Sequence, residues 1–282
     1  MIRFGLISDT HIGNPRPGYF HQEPLADYPP LFQTLAEFCR EEKLDFLCHA
    51  GDVIDNGSKE QMSAAAELFK QIPCPVFAVP GNHDLMNRDS AKWLPEQIPG
   101  LFPEGTVDYT VIKNGLRLDF LTTNWCGIPR FWDAEHQDPY FLPEQLELLD
   151  QGPQDLPRVL ITHSPACGLP TEQTGFPEVY HAPPGAFEKM LLNLAERKKI
   201  SMILGGHNHM NIGVHNKTFA LVTASAFREM PFELKVIEFE QGVFSLKTCS
   251  LAEKAGINLP YNYNKTHVQG RGCDREFQVE VS

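Results

Sequence analysis

Five times along this chain a short apolar run stops and a residue type able to hold a metal ion follows. The runs at 2–8, 45–49, 76–79, 159–161 and 202–204 lead in turn into Asp9-Thr-His11, Gly51-Asp52-Val-Ile-Asp55, Gly81-Asn82-His83-Asp84, Thr162-His163 and Gly206-His207-Asn-His209. Short apolar runs bounded by turn residues read as buried strands. In α/β sheets, the chemistry gathers outside the carboxyl ends of the strands. Glycines at 51, 81, 205 and 206 allow sharp turns and close backbone approach at those ends.

The two outer motifs space their ligand types at i and i+2. Residues two apart on extended chain project to the same side, so Asp9 with His11, and His207 with His209, are expected to face a common site. Asp9, His11, Asp52, Asn82, His163, His207 and His209 supply imidazole, carboxylate and amide oxygen but no thiolate. That donor set suits Mn, Fe, Zn or Co rather than a closed cysteine site. It is enough for two ions sharing one bridging carboxylate, with His83 left over for acid–base work. Two-ion sites hold their metals roughly 3.5–4 Å apart, clamp the attacking and leaving oxygens of a displacement, and lower the pKa of a bound water. Taken singly, each residue has a plainer reading. Asp9 before Thr10 can be a helix cap, Asp52 and Asp55 can end a loop, and a lone His163 is more often a satisfied polar residue. The five motifs in order make coincidence a poor explanation.

As a set, DTH, GDVID, GNHD, THSP and GGHNH resemble the calcineurin-like metallophosphoesterases in order and spacing over roughly residues 2–240. The resemblance implies a four-layer αββα sandwich, two mixed β-sheets flanked by helices. It implies two divalent or mixed-valence ions (Mn, Fe or Zn), the first held by Asp9, His11, Asp52 and His209. Asp52 would bridge, and Asn82, His163 and His207 would complete the second site. His83 would be no ligand but the catalytic acid, oriented by Asp55; an imidazolium held by a carboxylate can stabilise or protonate a leaving oxygen. Protein serine/threonine phosphatases of this superfamily carry Arg after the second Asp of GDxxD and Glu after the His of GNH. Asn56 and Asp84 stand here instead, which argues against that branch. GNHD and GHNH look more like the bacterial small-molecule and cyclic-nucleotide-phosphodiesterase-like members, although those often show His-His where Thr162-His163 stands. His163-Ser-Pro165 is closer to the purple-acid-phosphatase pattern.

The implied reaction is hydrolysis of a phosphodiester of a small soluble substrate, nucleotide or glycerophosphodiester in type, by a metal-bound hydroxide in line with the leaving alkoxide. A phosphomonoesterase and a non-catalytic scaffold are the alternatives. Retention of all seven ligand types and His83 speaks against the scaffold.

Six histidines lie outside the motifs: 21, 49, 136, 181, 215 and 267. His49 falls on an apolar run and reads as core. His21, His136 and His181 sit in long irregular stretches and can line a pocket, though exposed loop histidines are the commoner case. Asn14 and Arg16, just past DTH, and Arg130, in an aromatic stretch, are further candidates to meet a phosphate; for Arg130 a surface ion pair is an equal reading.

A net charge of −12 disfavours a nucleic-acid track, which needs a basic surface. Seven cysteines with no CxxC pair favour a reducing compartment, no stretch approaches a membrane span, and the N-terminus runs straight into the first strand, so a cytoplasmic enzyme is expected.

Helical faces are expected at Leu31, Leu35 and Phe38; after a Ser58-x-x-Gln61 capping box; over 142–149 with Pro143 in the first turn; and at Phe187, Met190, Leu191 and Leu194. Residues 219–224, 232–239 and 243–248 read as meandering strands. Two long loops, 14–30 and 166–184, each follow a ligand motif and are expected to wall the substrate pocket. The catalytic domain is drawn at 1–250. The extension at 251–282 either packs on that domain, joins a homodimer partner, or trails.

Overall fold

A computed structural model of the chain describes residues 1–282 apart from 16, 17, 259, 260 and 282. Arg16 therefore lies outside the described residues.

Two six-stranded mixed sheets form the centre. The first is built from β1 (Ile2–Ile7), β2 (Phe46–His49) and β3 (Val76–Ala78), all parallel, with β10 (Glu233–Glu240), β11 (Val243–Ser250) and β12 (Glu276–Glu280) added antiparallel beyond β1. The second runs β4 (Tyr109–Lys113), β5 (Leu116–Phe120), β6 (Arg158–Ile161), β7 (Ile200–Gly205), β9 (Ala220–Thr223), β8 (Ile212–His215) in spatial order. Its four middle strands are parallel and its two edges antiparallel.

Parallel strands covered on both faces read as continuous apolar runs, and the two clusters of buried side chains show why here. Val159, Ile161, Met202, Leu204, Ala220 and Val222 join Phe4, Leu6, Phe46 and Phe120 in the core shared by the two sheets. The alternate residues Leu160, Ile203 and Leu221 pack outward with Phe187, Leu191 and Leu194 of α6 (Gly185–Lys198). Among the described residues the remaining α-helices are α1 (Tyr28–Glu41), α2 (Lys59–Phe69), α3 (Ser90–Gln97), α4 (Pro143–Leu148) and the single turns α5 (Thr171–Thr174) and α7 (Gly272–Arg275). The expected sandwich of two mixed sheets with flanking helices is thus present.

Helix α1 buries Leu31 and Leu35 but starts at Tyr28, inside the expected loop; Pro29 and Pro30 sit in its first turn, where a missing N–H costs nothing. Ser58 caps α2, accepting from Gln61 N, but the Gln61 side chain does not reach back to complete a box. Its Oε1 instead accepts the backbone N–H groups of Asp55 and Asn56, at 3.0 and 2.9 Å. The last strands are not one meander: β9 ends the second sheet's run, and the chain then crosses to the first sheet as β10. The tail contributes β12, paired with β11 from Val243↔Glu280 to Lys247↔Glu276. Buried Lys235 on β10 ties this region further, its Nζ donating to Thr248 Oγ1 at 3.1 Å and to the Asp274 carbonyl at 3.4 Å. No helix among the described residues is long and apolar enough to cross a membrane.

Candidate metal centre

The carboxyl ends of β1, β2, β3, β6 and β7 converge, and the motif side chains meet there. Asp9, His11, Asp52, Asn82, His163 and His209 are buried, and His207 and His83 half-buried. Two donor groups flank one carboxylate. On one side, Nε2 of His11 lies 3.2 Å from Nε2 of His209, which is 3.4 Å from Asp9 Oδ1. On the other, Asn82 Oδ1 is 3.1 Å from His163 Nε2 and 3.0 Å from His207 Nδ1. Between them, Asp52 Oδ2 is 3.3 Å from His163 Nε2 and 3.7 Å from His11 Nε2. Donor atoms of Asp9, His11 and His209, and of Asp9, Asp52 and His163, lie within 4.8 Å of one another.

The i, i+2 spacing brings these residues to one place, but not by strand alternation. Strand β1 ends at Ile7, and Asp9 and His11 have φ of 55° and 41°. Asp52, His207 and His209 also adopt left-handed backbone, at 55°, 69° and 58°. Non-glycine residues pay for that conformation in strain, and it recurs at sites whose surroundings hold it in place. His207 and His209 consequently part, the first towards Asn82 and the second towards Asp9 and His11. Glycine is required where the loops touch: a Cβ on Gly81 would overlap the Asp52 carboxylate, and one on Gly206 would overlap Ser8 and meet Asp9.

The electrostatics follow from burial and crowding. Burial pushes the Asp9 carboxyl up, but His209 and His163 outweigh it and the pKa falls to about 2. Asp52, likewise opposed by burial, is held well below the usual carboxylate range by His163, His83 and His11. Burial lowers His11 to about 4 and, with His163 beside it, His207 to about 3. His163 rises to about 9 because Asp52 and Asp9 overcome its burial. Ionised carboxylates are ready ligands, whereas the proton on His163 is one that a cation must displace.

His83 sits at the rim. Its backbone N–H donates to Asp52 Oδ1 at 2.8 Å, and its ring lies near-parallel to Trp132, centroids 5.9 Å apart. Its Nδ1 is 2.8 Å from the Asp55 carbonyl oxygen and 3.7 Å from the Asp55 carboxylate. The backbone of Asp55 is thus the closer partner, because the carboxylate accepts from the Tyr19 hydroxyl and lies 3.4 Å from His11 Nδ1.

Several site residues were invisible to motif reading. Tyr19 bridges His11 and Asp55. Asp84 is fully buried and accepts from Gly81 N, Ile54 N and Val53 N at 2.8, 2.8 and 3.1 Å, joining the GNHD loop to the GDVID loop. Tyr28 donates to the His11 carbonyl at 2.6 Å and Arg228 Nη1 to the same oxygen at 3.1 Å. Glu229 accepts from His21 N and Gln22 N at 2.8 and 2.7 Å. Of these five residues only Asp84 carried any signal, its place inside GNHD.

The other candidates divide. Arg130 is paired with Asp108 at 2.8 Å, the surface-ion-pair reading. His49 is buried in the core, 3.0 Å from Thr10 Oγ1. His136 is exposed beside Asp133, and His215 stacks on Phe277. His21 is half-buried with its ring 6.3 Å from His209, contrary to the commoner expectation of a solvated loop residue, whereas His181, 6.4 Å from His21, is exposed as that expectation has it.

The family model for calcineurin-like phosphoesterases matches residues 2–211. A glycerophosphodiester phosphodiesterase, GpdQ, of Enterobacter lignolyticus is 27% identical over 176 residues, 60% of this chain and 57% of that protein. A probable cyclic nucleotide phosphodiesterase of Fibrobacter succinogenes is 33% identical over 86 residues, 30% of this chain and 31% of that one. The chain therefore spans well under two thirds of these relatives' length. Among solved structures, a dimetal phosphatase from Danio rerio superposes with a TM-score of 0.68 at 13% identity, covering 100% of this chain and 99% of that one. At that identity the likeness speaks for the fold alone.

Proposed function

The chain belongs to the calcineurin-like phosphoesterase family, and we propose on that premise that it is a metal-dependent phosphoric ester hydrolase cleaving a phosphodiester of a small soluble substrate, of nucleotide or glycerophosphodiester type. The observation that carries the reading is the position of Asp52: one carboxylate oxygen lies 3.3 Å from His163 and 3.7 Å from His11, between two separate donor groups. The donors are nitrogen and oxygen only, which fits Mn, Fe or Zn. Asp9, His11, Asp52 and His209 would hold one ion, and Asp52, Asn82, His163 and His207 the other. When bound, two such ions supply Lewis acidity to phosphoryl oxygens and a water of lowered pKa.

The chain's own groups do the rest. The Ala50 carbonyl, 2.7 Å from His163 Nδ1, fixes that ring so that Nε2 faces Asp52 and Asn82. The Asp55 carbonyl holds His83 Nδ1 in the same way, leaving His83 Nε2 to deliver a proton to the departing ester oxygen. Tyr19 and Phe20, from the loop after β1, pack against His11 and His209 and limit water at that side. The phosphodiesterase names of two relatives support a diester, and the charge of −12 supports a small one over a nucleic-acid strand. Free cysteines fit a reducing, cytoplasmic setting.

Rates on bis(4-nitrophenyl) phosphate and 4-nitrophenyl phosphate, with added Mn²⁺, test the proposal. A diester preference, with His83→Ala slow yet still metal-loaded, is the expected result. Monoester preference would favour a phosphomonoesterase, and turnover of neither by metal-loaded protein a scaffold.

A further inference from the structure

Three histidines that belong to no motif meet beside the centre. His21 comes from the loop after β1, His181 from the loop after β6, and His267 from the tail. The His21 ring centroid is 6.3 Å from His209, 6.4 Å from His181 and 6.1 Å from His267. Tyr180 packs edge-on to His181 at 4.2 Å, and Phe176 lies 5.3 Å from Tyr180 and 5.9 Å from His267. A continuous run of rings therefore leads from a candidate metal ligand out to Phe176 and Tyr180, which are 43% and 36% exposed.

This wall is fastened from several directions. Gln22 Nε2 donates to the carbonyls of Asn262 and Lys265, both at 3.1 Å. Gln173 Nε2 donates to the His267 carbonyl at 2.7 Å and to the Asn211 carbonyl at 2.9 Å. Glu229 holds the backbone of His21 and Gln22. Two long loops and the tail are thus tied to the body of the protein and to one another. Exposed aromatic side chains kept at a catalytic mouth are what a binding wall requires. Partial burial lowers the pKa of His21, His181 and His267, with His209 adding to it at His21 and His181 and Lys265 at His21 and His267. A ring-lined surface offers stacking and edge-on contacts to a flat group.

We propose that His21, His181, His267, Tyr180 and Phe176 form a substrate subsite that takes a planar aromatic or heteroaromatic substituent of the phosphate ester, and that this subsite sets the specificity of the centre. The inference rests on the phosphoesterase reading only for what brings the phosphate to the neighbouring metals.

Calorimetric binding of phenylphosphonate and methylphosphonate to the metal-loaded protein tests it without requiring turnover. The wild type should bind the phenyl compound about tenfold more tightly, the scale of one stacked ring. Tyr180→Ala combined with His181→Ala should shrink the ratio to about twofold, whereas Tyr180→Phe, which keeps the ring, should preserve it. Val214→Ala, removing an exposed side chain on edge strand β8, should also preserve it. Equal affinity for the two phosphonates, no binding of either, or an unchanged ratio in the double variant would overturn the proposal. Phenyl and methyl 4-nitrophenyl phosphate, which share a leaving group, then separate the two readings. Hydrolysis with no aryl preference contradicts the wall alone. An intact phosphonate ratio with no hydrolysis contradicts the phosphodiesterase reading alone.

Discussion

The Tyr19 hydroxyl lies 2.8 Å from Nδ1 of His11, on the far side of the ring from the Nε2 that faces His209. The same hydroxyl donates to the Asp55 carboxylate. A residue from the loop after β1 therefore fixes the tautomer and the plane of a candidate ligand, and couples it to the loop that orients His83. Partners of this kind commonly change metal affinity by about 10–100-fold when removed. Tyr19→Phe, which keeps the ring packing, should weaken metal binding on that scale in a calorimetric Mn²⁺ titration. Unaltered affinity would mean that Tyr19 only covers the site.

Asp84 predicts a stability effect. Its carboxylate satisfies three backbone N–H groups of two ligand loops from a fully buried position. Each buried donor left unpaired costs about 1–3 kcal/mol. Asp84→Ala should lose on the order of 3–5 kcal/mol in denaturant unfolding of chelator-treated protein. A loss below about 1 kcal/mol would show that water replaces the carboxylate.

The site was legible in the sequence to the extent that its residues hang directly on strand ends. Asp9, Asp52, Asn82, His163 and His207 each follow an apolar run by a few positions, so order and spacing alone located them. The route by which they converge was not legible, because left-handed backbone at Asp9 and His11 replaces strand alternation. Nothing local marks Arg228, Glu229 or His267, and His21 and His181 are marked only by their place in long loops. Glu229 meets His21 across 208 positions, and such contacts depend on the assembled sheets. The fold was legible in its alternation of apolar runs and helical faces. The crossing from β9 to β10 was not, since a run of late strands carries no mark of which sheet each joins.

Metal uptake should depend on pH through His163, which burial opposes but Asp52 and Asp9 raise to about 9. In protein stripped of metal, the ring is protonated below that pH and must lose its proton to become a ligand. Apparent affinity should therefore rise about tenfold per pH unit through neutrality, with proton release on binding, and level off above about pH 9. Competition with a chelator of known pH dependence, from pH 6 to 9.5, reads this out. Affinity independent of pH would remove His163 from the ligand set.

Asp52 as a carboxylate shared by two ions is the central claim about this site. Mn²⁺ titrated into stripped protein, with bound metal counted by mass spectrometry and diester turnover followed in the same samples, measures this most directly. Two ions per chain in the wild type, turnover appearing with the second, and loss of both occupancy and turnover in Asp52→Asn are the predicted results. Full turnover with one ion or none, or an Asp52→Asn variant that binds two ions and works unimpaired, would contradict it.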